Sequence, residues 1–333
     1  MTDLGQANLR GASLALLAFA LFSTHDVAVK YLGGLYSPFQ IIFFSVLLSF
    51  PLATLMLMRD PTRGHLRPVH PWWTGLRTIM GVVTGMSAFY AFSVLPLAQT
   101  YAILFASPLL ITLLSIPILG EKVGPHRLGA VIAGLIGVMV VLRPGAQEMQ
   151  LGHFAAMAAA VGSAMAGVIV RKIGKDERSA VLMLYPMMAN AVVMSCLLPF
   201  VYKPMPLADL GLTGMLAAFS FTAGLLVISA YRAAEAAIVA PMQYSQIIWA
   251  ALFGAVFFDE VPDPMTWVGA AIIIVSGLYI VIRESRGGAS ANMPVIATRS
   301  RPDTGTYPRP PALKSLPGRG SRKGLQMRRQ ADT

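Results

Sequence analysis

Residues 98–119 read Ala98-Gln99-Thr100-Tyr101-Ala102-Ile103-Leu104-Phe105-Ala106-Ser107-Pro108-Leu109-Leu110-Ile111-Thr112-Leu113-Leu114-Ser115-Ile116-Pro117-Ile118-Leu119, and the run stops at Gly120-Glu121. No charged side chain interrupts it. A hydrocarbon core of about 30 Å takes about 20 residues of helix to cross, so a run of this length and polarity reads as a transmembrane helix. Carried outward, the same reading gives ten spans, near 10–32, 38–58, 72–94, 98–119, 126–143, 151–171, 180–201, 209–230, 237–257 and 265–283. The runs are continuous rather than alternating, which excludes a membrane β-barrel. The expected fold class is an all-α polytopic membrane protein.

Composition agrees. Of 333 residues, 56% are hydrophobic and only 12% charged, with mean hydropathy +0.65; a soluble domain carries about 25% charged residues. A chain of this length has no aqueous core large enough to hide so much apolar surface. The net charge of +11 raises nucleic acid as a partner, but many of the cations lie in the last fifty residues and most of the rest in short gaps between apolar runs. That distribution marks membrane topology rather than a basic groove. The single cysteine, Cys196, sits inside an apolar run, matches no metal spacing and reads as a buried, inert thiol. The first apolar stretch lacks a clear small-x-small cleavage site and reads as the first span rather than a signal peptide.

Lysine and arginine counts orient the chain. With the N-terminus in the cytoplasm, that side receives Arg59, Arg63, Arg67, Lys122, Arg127, Arg171, Lys172, Lys175, Arg178, Arg232 and the C-terminal tail, and the other side only Lys30, Arg143 and Lys203. An even number of spans puts both termini in the cytoplasm; a bacterial inner membrane suits this plan. Residues 284–333, rich in Arg, Pro, Gly and Ser without an apolar period, read as a disordered basic cytoplasmic tail, either solvated or touching anionic lipid head groups.

The chain also repeats itself. Leu119-Gly120-Glu121-Lys122-Val123 matches Phe258-Asp259-Glu260-Val261. Each Glu closes an apolar span, and each is followed by a proline turn (Pro125; Pro262 and Pro264). A helix follows with glycines eight apart, Gly129 and Gly137 in one case, Gly269 and Gly277 in the other, and ends on Arg143 or Arg283. Two five-helix repeats follow, 1–145 and 146–283, with the tail beyond. Five is odd, so the halves sit upside down relative to each other, a plan used by secondary transporters with the site between repeats. The two glutamates are expected to cap the helices that follow them.

Together these features resemble the drug/metabolite transporter superfamily, EamA-like branch. Pro96-Leu97-Ala98 through Ala106-Ser107-Pro108 to Leu119-Gly120-Glu121 is similar to that family's fourth helix, and the resemblance covers about residues 10–283. It implies secondary transport of small metabolites or drugs without ATP. The opening Asp26-Val27-Ala28-Val29-Lys30-Tyr31 looks like members that take up S-adenosylmethionine or riboflavin. In the second half Gln246-Ile247 replaces Ser107-Pro108, so the paired helices are not equivalent binding elements.

Ionisable and amide side chains within spans are costly and face cavities or each other. His25 and Asp26 in the first span are a candidate proton or charge site; Lys30 lies one turn on and in reach of Asp26. Arg77 in the third span either snorkels or meets an anionic group, Gly81-x-x-x-Gly85 beside it permits close packing, and Tyr90 is a candidate cavity residue. Tyr101, Phe105 and Pro108 share a face of the fourth span, and the proline frees a carbonyl. Asn190 is polar within the seventh. Gln243, Tyr244, Gln246 and Trp249 cluster in the ninth and form the strongest substrate-binding candidate, with amides to bond a polar ligand and aromatics to stack on rings or cations.

Other readings give different expectations. A membrane enzyme would need a nucleophile motif or ligand cluster, whereas His65, His70 and His126 are scattered and no HExxH occurs; no catalytic residue, cofactor or metal is expected. A lipid translocator or non-transporting scaffold would show a lipid-open cavity or a tail-binding partner. Partners expected of a transporter are a small-molecule substrate, the bilayer, a coupling proton and a second copy of the chain.

Overall fold

The computed structural model describes residues 3–58, 66–121, 123–146, 148–174, 176–234 and 236–286. Arg59, Arg63, Lys122, Lys175, Glu235 and the expected basic tail from residue 287 onward lie outside the described residues. Among the described residues every regular element is a helix: α1 (Asp3–Gly33), α2 (Pro38–Met58), α3 (Pro71–Val94), α4 (Leu97–Leu104), α5 (Ser107–Leu119), α6 (Pro125–Leu142), α7 (Leu151–Ile173), α8 (Ser179–Val201), α9 (Leu207–Ala233), α10 (Ala236–Val239), a 3-10 turn (Ala240–Tyr244), α11 (Ser245–Phe258) and α12 (Pro264–Arg286). Among the described residues eight stretches are long and apolar enough to cross a bilayer, with α4 and α5 together making one of them, Leu97–Leu119. The other two expected spans are not among the eight. α3 carries Arg77, two tryptophans and several small polar residues, and α11 has only 14 residues.

The helix breaks have local causes. A proline clashes with the carbonyl four residues back and offers it no N–H. Pro108 therefore ends α4 at Leu104, and the chain restarts at Ser107 with Pro108 in the first turn. Pro241 tightens the start of the ninth stretch into a 3-10 turn before α11 begins. The spans expected at 98–119 and 237–257 thus each carry a break near their proline, Pro108 and Pro241. The last helix also runs past Arg283 to Arg286, whereas α6 ends at Leu142 with Arg143 as a left-handed cap.

Packing crosses the chain rather than following it. α1 packs most extensively on α9, α3 on α7, and α6 on α12. The last seam is built on glycine: a Cβ on Gly137 would lie 2.9 Å from the Gly269 carbonyl, and one on Gly269 would lie 2.6 Å from the Gly137 carbonyl. Gly81 likewise meets Pro186 of α8. Between lipid-solvated helices close backbone approach replaces the hydrophobic drive, and small residues permit it. Outward, large apolar side chains such as Ile132, Ile136, Val192, Val256 and Val275 are exposed, as lipid contact requires. Cys196 belongs to this outer surface: it is exposed on α8, not buried as its apolar context suggested.

A polar clasp joins the α1–α2 turn to the α8–α9 connection. Tyr36 donates to Asp209 at 2.5 Å, and Gln40 exchanges two bonds with the backbone of Lys203, at 2.7 and 2.9 Å. The hydrogen bond to Asp209, with burial and that negative charge, pushes the Tyr36 phenol from 10.0 up to about 12. A raised folded pKa means the clasp's contribution is intact below pH 10 and is lost as pH rises through about 12. Tyrosinate difference titration of the protein against Tyr36→Phe is expected to show this group ionising near 12, and to move back toward its ordinary value in Asp209→Asn.

Candidate functional site

α1 carries His25 and Asp26 two turns from its end, both fully buried. Their side chains meet at 2.7 Å, Nδ1 to Oδ1. Tyr101, in the last turns of α4, donates its hydroxyl to the other oxygen of Asp26. Gln246, the second residue of α11, donates from Nε2 to the Tyr101 hydroxyl at 3.1 Å. Both broken stretches therefore deliver a polar side chain at their break, and a line of hydrogen bonds runs from Gln246 through Tyr101 to Asp26. Tyr101 and Gln246 are each 2% exposed. Such a network is costly to bury unless its members satisfy each other, and it fixes their orientation.

Aromatic rings wall the network. Phe89 stands edge-on to His25 at 6.1 Å, and Phe92 to Tyr101 at 5.2 Å. Phe105, at the α4 break, lies 5.9 Å from Tyr101 and 5.2 Å from Tyr244. One turn beyond Asp26, Lys30 does not pair with it, as the four-residue spacing suggested. Lys30 instead forms an ion pair with Glu260, donates to the Leu95 carbonyl at 2.5 Å, and sits 5.2 Å from the Phe258 ring. Glu260 also accepts the Leu97 amide at 3.2 Å, the first amide of α4. The expectation that Glu121 and Glu260 cap the helices following them is therefore corrected. Glu260 serves α4 and Lys30, and Glu121 pairs with Arg171 at 2.5 Å, while the N-cap of α6 is Gly124 without a side-chain bond.

The other sequence candidates scatter around this centre. Tyr244 joins its aromatic wall. Gln243 is half-buried in the 3-10 turn, and Trp249 stacks on Phe253 at 5.8 Å along α11. Tyr90 is half-buried on α3. Asn190 is buried on α8 and donates to the Pro186 carbonyl of its own helix at 2.9 Å. Arg77 donates to the Leu182 carbonyl and so ties α3 to α8.

Sequence reading missed Phe89, Phe92 and the buried His153, which bonds Gln99 at 3.2 Å. The spacing Gln150-x-x-His153 was a usable signal, because the two side chains form a capping box at the start of α7. Gln99 also lines a cleft of about 240 Å³ with Pro96, Arg143, Asp263 and Thr266. Burial works to raise the Asp263 carboxyl, but its bonds to Thr266 and the Arg143 charge beside it hold it below the usual carboxylate value.

Apolar outside, closed around a buried polar centre at two helix breaks, the molecule is a multi-pass membrane protein of transporter type. It belongs to the EamA-like transporter family, whose model matches residues 9–143 and again 150–283. The chain is similar to the S-adenosylmethionine uptake transporter of Rickettsia bellii, 27% identical over 83% of this chain and 94% of that protein. It is also similar to the pseudopaline exporter CntI of Pseudomonas aeruginosa (strain UCBPP-PA14), 25% identical over 80% of this chain and 94% of that one. A solved crystal structure superimposes with TM-score 0.55 at 19% identity, covering 86% of this chain and 99% of that one; at that identity the likeness concerns the fold alone.

Proposed function

We propose that the protein is a secondary transporter of a small cationic or zwitterionic metabolite, and that the solute binds where Asp26, Tyr101 and Gln246 meet. The observation that carries this is the hydrogen-bonded line from Gln246 to Asp26, buried in an apolar bundle and joining three separate helices. Ten spans form it: the eight apolar stretches, α3, and the broken stretch from α10 through α11. They make two inverted five-helix arms, 1–145 and 146–283, that move by alternating access. Support comes from the two family matches within one chain and from the exchange of packing partners, α1 with α9 and α7 with α3. Both termini face the cytoplasm and the membrane is the bacterial inner membrane, in keeping with the basic loops.

The chemistry favours a solute with positive charge. Asp26 supplies a carboxylate, Lys30 is already engaged by Glu260, and the rings of Phe105 and Tyr244 offer faces to a cation or an aromatic group. S-adenosylmethionine, a sulfonium with an amino acid and a purine, fits this set, and a similar protein bears that name. A proton exchanged at the Asp26–His25 pair is the proposed coupling ion.

A thermal-shift screen of purified protein against amino acids, nucleosides, S-adenosylmethionine, flavins and polyamines tests the reading. A ligand at 100 times its Kd stabilises by about 2.7 kcal/mol. One solute class is expected to raise the melting temperature, and Gln246→Ala is expected to remove most of that shift. A shift that survives in Gln246→Ala would move the site elsewhere.

A further inference from the structure

Two ion pairs join the halves reciprocally. Lys30, at the end of α1, pairs with Glu260, just after α11. Arg171, at the end of α7, pairs with Glu121, just after α5. Lys30 and Arg171 each lie 21 residues into their own family match (30 − 9 and 171 − 150). Glu121 and Glu260 lie 112 and 110 residues in (121 − 9 and 260 − 150). Each half therefore lends the other one cation and one carboxylate from corresponding positions.

The pairs sit at opposite ends of one helical stretch. Glu260 holds the Leu97 amide at the start of α4, whereas Glu121 follows the end of α5. Each is also knotted to backbone: Lys30 to the Leu95 carbonyl, and Lys172, beside Arg171, to the Ile118 carbonyl at 2.8 Å. Lys30 and Leu97 are each one helical turn from the site residues Asp26 and Tyr101, so the first pair roofs the site directly. Both pairs are formed together, and the site between them is closed, with His25 and Asp26 at 0% exposure. The second pair is a single-pronged contact: Arg171 reaches Glu121 through Nη2 alone, and its Nε and Nη1 have no hydrogen-bond partner among the described residues. A two-pronged contact would grip harder.

We infer that Lys30–Glu260 and Arg171–Glu121 are the two latches of a single alternating gate, each of which must part for its own end of the bundle to open onto the Asp26–Tyr101–Gln246 site. The inference rests on the alternating-access reading. Its test needs no solute, so an error in the substrate class leaves it standing, and its own failure leaves the ligand screen standing.

The experiment places a reporter cysteine at Phe105, which touches both Tyr101 and Tyr244, in a Cys196→Ser background. A membrane-impermeant methanethiosulfonate is applied to right-side-out and to inverted vesicles. With both latches intact, labelling is expected to be slow from either side. Lys30→Met is expected to speed it about tenfold from one side only, and Arg171→Met about tenfold from the opposite side only. Where either variant fails to fold, Glu260→Gln and Glu121→Gln, which keep side-chain shape, carry the same test. The exchange Lys30→Glu with Glu260→Lys is expected to restore slow labelling, which a merely structural pair with other partners would not do. Acceleration from the same side by both variants, or no acceleration in folded protein, overturns the inference.

Discussion

Asp26→Asn is expected to abolish transport in protein that still folds. The carboxylate accepts from Tyr101 at one oxygen and faces His25 at the other. Tyr101 can donate to Asp26 because its own oxygen already accepts from Gln246. An asparagine amide turned toward Tyr101 would set two donors against one hydroxyl oxygen and leave the phenolic proton without this acceptor. Turned the other way, it presents its amide protons to His25. In the first orientation the line of bonds loses its direction, and in both the site loses its negative charge. Removing one partner from a buried charged pair costs about 2–5 kcal/mol, which at about 1.4 kcal/mol per tenfold is roughly a 30-fold loss of affinity at the least. Solute uptake by proteoliposomes, beside gel filtration of the same preparation, measures it. Uptake within a few-fold of the unaltered protein would remove Asp26 from the site.

Gly269→Leu is expected to give the largest loss of stability of any single change on the α6–α12 seam. Even a Cβ at this position would meet the Gly137 carbonyl at 2.6 Å and the Val141 side chain at 2.5 Å. One of those neighbours is backbone and cannot rotate away, so the helices must separate. Overpacking a well-packed contact costs about 1–3 kcal/mol, and a leucine adds three more carbons to that obstruction. Gly129→Leu is the control, because a Cβ there meets nothing within 4 Å. Thermal unfolding in detergent is expected to show Gly269→Leu well below, and Gly129→Leu close to, the unaltered protein.

The membrane class was legible because lipid imposes its demand locally: an apolar run of 98–119 needs no partner to be read. The glycine seam was half legible, since the spacing of Gly129 and Gly137 against Gly269 and Gly277 drew attention to these helices but not to which glycines touch. Helix breaks were visible as prolines, yet a proline acts four residues upstream, and the chain therefore parts after Leu104 rather than at Pro108. Within the site, Asp26 and His25 stood out as charge in an apolar run, and Gln246 and Tyr101 as polar groups in other spans. Their meeting joins residues 75 and 145 positions apart, a separation that periodicity within single helices does not address. The same reason misdirected Lys30: a local partner four residues back was in view, and the one that won, Glu260, is 230 positions away by number (260 − 30).

The most direct test of the central claim is solute exchange in proteoliposomes, with the protein reconstituted alone and a panel of labelled cationic and zwitterionic metabolites outside an excess of each unlabelled inside. At least one of them is expected to accumulate transiently against the label gradient, and Asp26→Asn and Gln246→Ala are expected to abolish or sharply reduce that signal. Exchange that proceeds unchanged in both variants, or folded protein that exchanges nothing across the panel, would contradict that claim.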